Sequence, residues 1–165
     1  MPCMISEPVS ENDYLLPHAA LLISNYRRWT GKALLDAGLP PREAARALYH
    51  APFVVLSHDS SPDPRFTYAN LAAQARFEMT WREIVGLPSR LSAEAMAQPA
   101  RAQLLETVAS QGYIDSYSGV RIGKSGRRFM IRNATVWNLI DADDQFQGQA
   151  AMFSECQDIT APESK

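Results

Sequence analysis

Three histidines, His18, His50 and His58, are the side chains of this chain whose charge can change near neutral pH. His58 stands beside Asp59 in a polar segment, and such a pair could serve a metal ion or a proton switch. No H-x-x-x-H or C-x-x-C spacing supplies companion ligands. The sequence therefore favours a solvated loop histidine and predicts no dedicated metal site.

Sulfur-containing side chains are also poor candidates for a metal or redox site. Cys3 and Cys156 lie at opposite ends of the chain and form neither a disulfide framework nor a ligand set with a recognisable spacing. We expect both to be reduced thiols. Met96 is a soft ligand in principle, but methionine far more often fills a core.

A basic cluster, formed by Arg121, Lys124, Arg127 and Arg128, surrounds the tight turn G-K-S-G. Its cationic groups could contact an acidic partner or an anionic ligand. The alternative is a solvated turn, which is the usual role of such clusters. The turn does not match a phosphate-binding loop, because the G-x-x-x-x-G-K spacing is missing.

Enzyme signatures are weak in this sequence. No G-x-S-x-G motif distinguishes one serine from the others. The adjacent carboxylates Asp143 and Asp144 fall in a turn, where water would solvate them. Because no acid, base and nucleophile occur in a recognisable arrangement, we predict that the chain is not an enzyme.

Length and composition narrow the class of protein. The 165 residues fit one domain, and the net charge of -2 gives no reason to expect a nucleic-acid partner. No apolar run approaches the roughly 20 residues that span a bilayer. The acidic N-terminus lacks the features of a secretory signal. We therefore expect a cytoplasmic protein without a membrane partner.

Hydrophobic periodicity predicts an ordered series of helices and strands. The predicted helices cover residues 17–35, 41–50 and 100–111, and the predicted strands cover residues 53–56, 65–69, 113–122, 127–140 and 146–155. Asn70 is placed to cap a helix, and Thr80 with Glu83 matches a capping box. These elements must position any site.

The predicted strand 127–140 is apolar on both faces. We assign the face with Phe129, Ile131 and Trp137 to the core. An open, solvated face would not favour the remaining apolar residues, so we expect a cover. Either the N-terminal helix, through Tyr26 and Trp29, or a second subunit could provide it.

A hollow between sheet and helices could accept a small apolar or aromatic molecule. The alternative is that its lining residues simply fill the core. The candidate lining residues are Phe53, Val55, Phe66, Tyr68, Leu104, Phe129, Ile131 and Trp137.

Several segments resemble the MEKHLA domain family, which is related to PAS domains. They are YHAPFVVLSHD, YANLAAQARFEMTW, LPSRLSAE, GVRIGKSGRRF and ATVWNLIDADDQFQGQAAMFS. The resemblance implies an α+β, PAS-like fold in which an antiparallel five-stranded sheet carries helices on one face. Residues 1–13 carry little periodicity and are predicted to form a flexible tail, followed by an N-terminal helical extension (14–50). The resemblance assigns the PAS-like domain to residues 51–160 and implies that 14–160 form one unit.

The same resemblance implies a sensory or regulatory module that dimerises or binds a regulatory protein, with a small molecule as a possible core ligand. Relatives that bind flavin covalently carry a reactive cysteine, which residues 70–111 lack. Haem-binding relatives present a histidine on the long helix, and residues 99–111 contain none. We therefore predict neither cofactor. The alternative function is a small-molecule-binding enzyme or enzyme subunit.

Overall fold

An antiparallel sheet organises the computed structural model, which describes residues 5–93 and 98–159. Its strands are β1 (Val54–His58), β2 (Phe66–Ala69), β3 (Tyr113–Ile122), β4 (Arg128–Ile140), β5 (Phe146–Phe153) and β6 (Glu155–Ile159). The strand order is β2-β1-β5-β4-β3, and β6 also pairs with β4. The predicted α+β fold with an antiparallel sheet is confirmed.

The sheet has six strands, whereas the sequence predicted five. Strand β5 pairs with the C-terminal half of β4, and β6 pairs with its N-terminal half. The strand structure is interrupted between them at Ser154, which lies opposite Asn133 of β4, a residue with a φ of 52°. Because this irregular backbone interrupts the hydrogen-bond ladder, the last predicted strand is divided into two.

Five α-helices surround the sheet in the described residues. They are α1 (Leu16–Thr30), α2 (Pro41–Tyr49), α3 (Leu71–Phe77), α4 (Trp81–Ile84) and α5 (Gln98–Gln111). Helix α1 ends earlier than predicted because Gly31, with a φ of 74°, donates its N–H to the Arg27 carbonyl and closes the helix. Among the residues described, no helix is long and apolar enough to cross a membrane.

Asn70 joins three elements at the start of α3. Its Oδ1 accepts the N–H of Ala73, as predicted for a cap, and also the N–H of Val55 in β1. Its Nδ2 donates to the carbonyls of Leu48 and Phe53. The side chain is fully buried, so it fixes the end of α2, the start of β1 and the start of α3 together.

The capping box predicted at the start of α4 is also present. The Thr80 hydroxyl accepts the N–H of Glu83, and the Glu83 carboxylate accepts the N–H of Thr80. Both predicted helix starts are therefore confirmed.

Two irregularities decide which strand residues share a face. The pairing of β1 with β2 shifts between Ser57 and His58, so Phe66 and Tyr68 enter different hydrophobic clusters. The pairing of β3 with β4 shifts near Asn133, so Phe129 and Trp137 also separate. The predicted uniform alternation is wrong at both places, because each bulge inserts an extra residue and reverses the side-chain direction beyond it.

The N-terminal extension packs on one side of the sheet. Asn25 of α1 bonds the backbone of Ile140 through both amide groups, with Nδ2 donating at 3.0 Å and Oδ1 accepting at 3.1 Å. Before α1, the Ile5 carbonyl accepts Trp81 Nε1, and the Glu7 carboxylate accepts the Tyr49 hydroxyl. Ile5 and Glu7, which belong to the predicted tail, therefore contact the rest of the domain.

Candidate functional site

A small cavity lies between the sheet and helices α3 and α5. Most of its wall is apolar and comes from Leu56, Phe66, Phe77, Leu104, Leu105, Ile131, Val136, Ala151 and Phe153. Its volume is about 50 Å³, on the measure by which one water molecule needs roughly 10–15 Å³. The cavity is therefore small, with room for more than one water molecule.

His58 is the last residue of β1 and faces the cavity. Its Nδ1 lies 2.8 Å from the carbonyl oxygen of Asp59; a carbonyl can only accept, so Nδ1 carries the hydrogen. Burial lowers the pKa of His58, and the charge of Arg101 acts in the same direction. The neutral ring leaves Nε2 as a buried acceptor with no hydrogen-bond partner among the described residues.

Arg101 enters the cavity from the first turns of α5 and is 8% exposed. Its Nη2 donates to the Ser89 hydroxyl at 2.7 Å. Burial and, to a smaller extent, the charge of Arg121 lower the pKa of Arg101 to about 10, so the guanidinium stays charged at neutral pH. A charged group is therefore held in largely apolar surroundings.

Arg121 of β3 reaches the same cavity and is 9% exposed. Its Nη1 donates to the Val120 carbonyl, and its Nη2 donates to the Tyr117 hydroxyl at 3.2 Å. The guanidinium carbon lies 5.5 Å from the centre of the Tyr117 ring. In the part of the chain that the structure describes, neither Arg101 nor Arg121 forms an ion pair with a carboxylate.

A polar chain connects the cavity to the N-terminal extension. Gln149, which lines the cavity, donates from Nε2 to Asn138 Oδ1 at 3.1 Å. Asn138 Nδ2 donates to the carbonyl of Val108 at the end of α5. The Asn138 carbonyl accepts Trp29 Nε1 of α1 at 2.9 Å. Trp29 also packs over Gly112, where a Cβ would collide with the indole ring.

The structure divides the eight residues that the sequence grouped into one hollow. Phe66, Leu104 and Ile131 line the cavity, and Phe129 is buried beside it in the same cluster as Phe66. The other four, Phe53, Val55, Tyr68 and Trp137, belong to the cluster formed with the N-terminal extension. The single grouping is wrong because both bulges reverse the side-chain faces. A ligand role for any of them stays a prediction.

The N-terminal helix covers the sheet face that carries Trp137 and Leu139, whereas the sequence assigned Trp137 to the core face and placed the cover on the opposite one. Tyr26 is 6% exposed, and its ring centre lies 5.0 Å from that of Trp137 in an edge-to-face contact. Tyr26 is therefore not an accessible interaction residue in this arrangement. Trp29 is partly exposed, with its indole N–H bonded to Asn138.

Sequence reasoning misjudged two cavity residues and missed a third. His58 was expected in a solvated loop, but it ends a strand and is buried. Arg121 was grouped with a solvated turn, but the strand register turns it inward beside Phe129. Arg101 was not considered, although its spacing to Leu104 and Val108 places it on the apolar side of α5.

Within residues 5–93 and 98–159, no cluster of His, Cys, Asp and Glu could hold a metal ion. Cys156 is a free, partly buried thiol. Cys3 and Met96 lie outside the described residues. The polar groups that line the cavity are therefore the N–H donors of Arg101 and Arg121, the His58 Nε2 acceptor and neutral side chains.

Solved structures share this arrangement of sheet and small helices. The PAS domain of a protein from Colwellia psychrerythraea superposes with a TM-score of 0.61 at 14% identity, covering 73% of this chain and 98% of that chain. A light-oxygen-voltage domain studied with a flavin analogue has a TM-score of 0.56 at 16% identity, covering 72% and 86%. The light-state dimer of the fungal photoreceptor Vivid has a TM-score of 0.56 at 11% identity, covering 82% and 93%. The fold is therefore that of a PAS domain.

Within that class, the MEKHLA domain family model matches residues 16–158. The chain belongs to the MEKHLA domain family, as the sequence resemblance implied. The matched range includes α1 and α2 as well as the sheet, so the helical extension is part of the family unit. No curated protein matches the sequence significantly.

Proposed function

We propose that this chain is a cytoplasmic, non-enzymatic sensory module that binds a small molecule in the cavity and passes its occupancy to a protein interface. The family and the PAS-like fold support a sensory or regulatory role. One observation carries the ligand-binding part: His58 faces the cavity, and its buried Nε2 has no hydrogen-bond partner among the described residues. Such groups are costly unless they have a partner, and a ligand can supply one.

The route of the signal in this proposal is the polar chain from Gln149 through Asn138 to Trp29. A ligand that displaces Gln149 would alter the hydrogen bonds of Asn138, whose carbonyl holds the indole of α1. Two packings of α1 against the sheet would then be populated according to occupancy. Regulation would consist of a change in the surface that α1 presents.

Homodimerisation is a further part of the proposal. The Vivid photoreceptor, which has a similar fold, forms a light-state dimer. Because Tyr26 is buried within the chain, a dimer contact would use the outer surface of α1 and not this ring. A regulatory protein that recognises the same surface is the other partner we propose.

A ligand screen on the purified protein tests the proposal. Native mass spectrometry would detect a retained small molecule, and thermal-shift measurements against small metabolites would detect added ones. The variant Ala151→Leu fills the cavity, and Ala102→Leu makes the same change at an exposed position of α5. We expect A151L to abolish the shift and A102L to retain it. No ligand in the screen, or equal binding by both variants, would overturn the proposal.

Signal transfer needs a separate measurement. Trp29→Phe keeps an aromatic ring but removes the N–H that bonds the Asn138 carbonyl. In the unaltered chain, we expect a cavity ligand to change the hydrogen exchange of α1 amides and the sedimentation coefficient. In W29F the ligand should still bind while both changes shrink. Identical responses in the two proteins would exclude Trp29 as the connection.

A further inference from the structure

Two buried guanidinium groups face one cavity without a counter-charge in the described residues. Arg101 donates to a serine hydroxyl, and Arg121 donates to a backbone carbonyl and a tyrosine hydroxyl. These acceptors are neutral, so they satisfy hydrogen bonds but do not balance charge. Each guanidinium carries five N–H donors, which leaves further donors for a ligand.

The nearby carboxylates are engaged elsewhere. Asp63 attracts Arg101 only weakly, and its carboxylate lies 3.1 Å from Arg90 in a half-exposed ion pair. Asp59 Oδ1 accepts the backbone N–H groups of Ser61 and Arg65. Because neither carboxylate pairs with the two cavity arginines, their positive charges have no carboxylate partner within residues 5–93 and 98–159.

We infer that the cavity is a binding site for a small carboxylate, held by Arg101 and Arg121. This inference rests on the proposed function and names its class of ligand. The planar fork of an arginine matches the two oxygens of a carboxylate, and an anion would balance the charge that burial makes costly. The small volume of about 50 Å³ favours a carboxylate with a short carbon chain.

His58 adds a preference within this class. Its Nε2 is a buried acceptor, so it fits a ligand hydroxyl and not a second carboxylate oxygen. A 2-hydroxy acid carries the carboxylate and this hydroxyl on adjacent carbons. Glycolate and lactate should therefore bind more tightly than acetate. The apolar wall of Leu104, Ile131 and Val136 suits the short carbon chain.

Isothermal titration calorimetry of the full chain in Tris buffer free of carboxylates tests the inference. The probes are sodium acetate, glycolate and L-lactate, with inorganic phosphate for comparison. We expect glycolate to bind about tenfold more tightly than acetate, because only glycolate can donate a hydrogen bond to the buried His58 Nε2. A hydrogen bond to a buried group that is otherwise unpaired changes the dissociation constant by about this factor. Arg101→Met and Arg121→Met should each weaken glycolate binding by about tenfold or more.

Matched variants separate the cavity from the surface. Arg82→Met removes an exposed arginine of α4 that does not line the cavity, and it should leave glycolate binding unchanged. His58→Phe should reduce the ratio of glycolate to acetate affinity towards one while acetate still binds. Circular dichroism of each variant excludes unfolding as the cause of a loss.

Distinct outcomes would overturn the inference. Tighter binding of phosphate than of any carboxylate would assign the arginines to a different anion. Binding of neutral metabolites alone, abolished by A151L, would refute the carboxylate but preserve the proposed function. Glu94 lies outside the described residues, so Glu94→Ala is measured as well. A tenfold or larger gain in glycolate affinity in E94A would identify Glu94 as the counter-ion of the arginines and overturn the proposal.

Discussion

Arg101→Met should make the ligand-free protein more stable, which is the reverse of the usual effect of a substitution at a buried site. Arg101 is 8% exposed, and burial together with the charge of Arg121 lowers its pKa to about 10. The ordinary pKa of arginine is 12.5, and each pKa unit corresponds to about 1.4 kcal/mol. Keeping Arg101 charged in the folded state therefore costs roughly 3 kcal/mol. Methionine is unbranched and flexible and fills similar space without charge.

The gain is reduced by one lost hydrogen bond. Arg101 Nη2 donates to the Ser89 hydroxyl, and Ser89 is fully buried. Losing that donor costs about 1–2 kcal/mol. The net expectation is a rise of about 1–2 kcal/mol in the free energy of unfolding, equivalent to a few degrees in melting temperature for a chain of this size.

Urea unfolding, followed by circular dichroism in buffer without carboxylates, measures this difference. The slope of free energy against urea should be the same in both proteins, since the surface exposed on unfolding hardly changes. Arg90→Met is the control: its exposed ion pair with Asp63 should contribute close to zero. A loss of stability in R101M, or a change equal to that of R90M, would refute the argument that an uncompensated charge is buried.

The charge of Arg101, which lowers stability in the empty protein, should raise stability when a ligand is bound. A ligand that binds only the folded state stabilises it in proportion to the logarithm of its concentration over the dissociation constant. If glycolate binds through Arg101, saturating glycolate should raise the melting temperature of the unaltered chain and leave R101M unchanged. A residue that lowers stability in the empty protein and is needed for binding is typical of a functional site.

Three further predictions concern the scaffold. Asn70→Ala should lower the free energy of unfolding by about 2 kcal/mol or more, because the buried N–H groups of Val55 and Ala73 lose their acceptor. A loss below about 1 kcal/mol in urea unfolding would contradict this. Trp137→Ala should lower the free energy of unfolding by about 3–5 kcal/mol. Trp137→Phe should lower it less, because the indole N–H has no hydrogen-bond partner among the described residues. Equal losses in the two variants would contradict the packing argument. Burial lowers the pKa of His18 to about 4, whereas the unfolded chain binds this proton at about pH 6.5. Falling pH therefore favours the unfolded chain, and the free energy of unfolding should drop by about 1–2 kcal/mol between pH 7 and pH 5. His18→Gln should show a smaller drop, and an unchanged pH dependence would show that His18 does not contribute.

Local sequence patterns were sufficient for the elements and their ends. Asn70, Thr80 and Glu83 act through hydrogen bonds within a few residues, so their side-chain types alone indicated the caps. Gly112 ended the long helix for the same local reason, since it adopts a φ of 98°. The segments LPSRLSAE and ATVWNLID carried enough family-specific sequence to indicate the PAS-like fold.

The cavity depended on contacts between residues distant in sequence. His58, Arg101 and Arg121 come from β1, α5 and β3, and no short-range pattern relates them. Two bulges, near His58 and at Asn133, reversed the faces of β2 and β4 and moved Tyr68 and Trp137 away from Phe66 and Ile131. Side-chain alternation can be read along one strand, but a bulge is set by the register between two strands. The sequence therefore specified the PAS-like fold. Only the packed sheet brought two buried arginines and one imidazole nitrogen, all without a carboxylate or hydrogen-bond partner for that charge or atom among the described residues, to one small cavity.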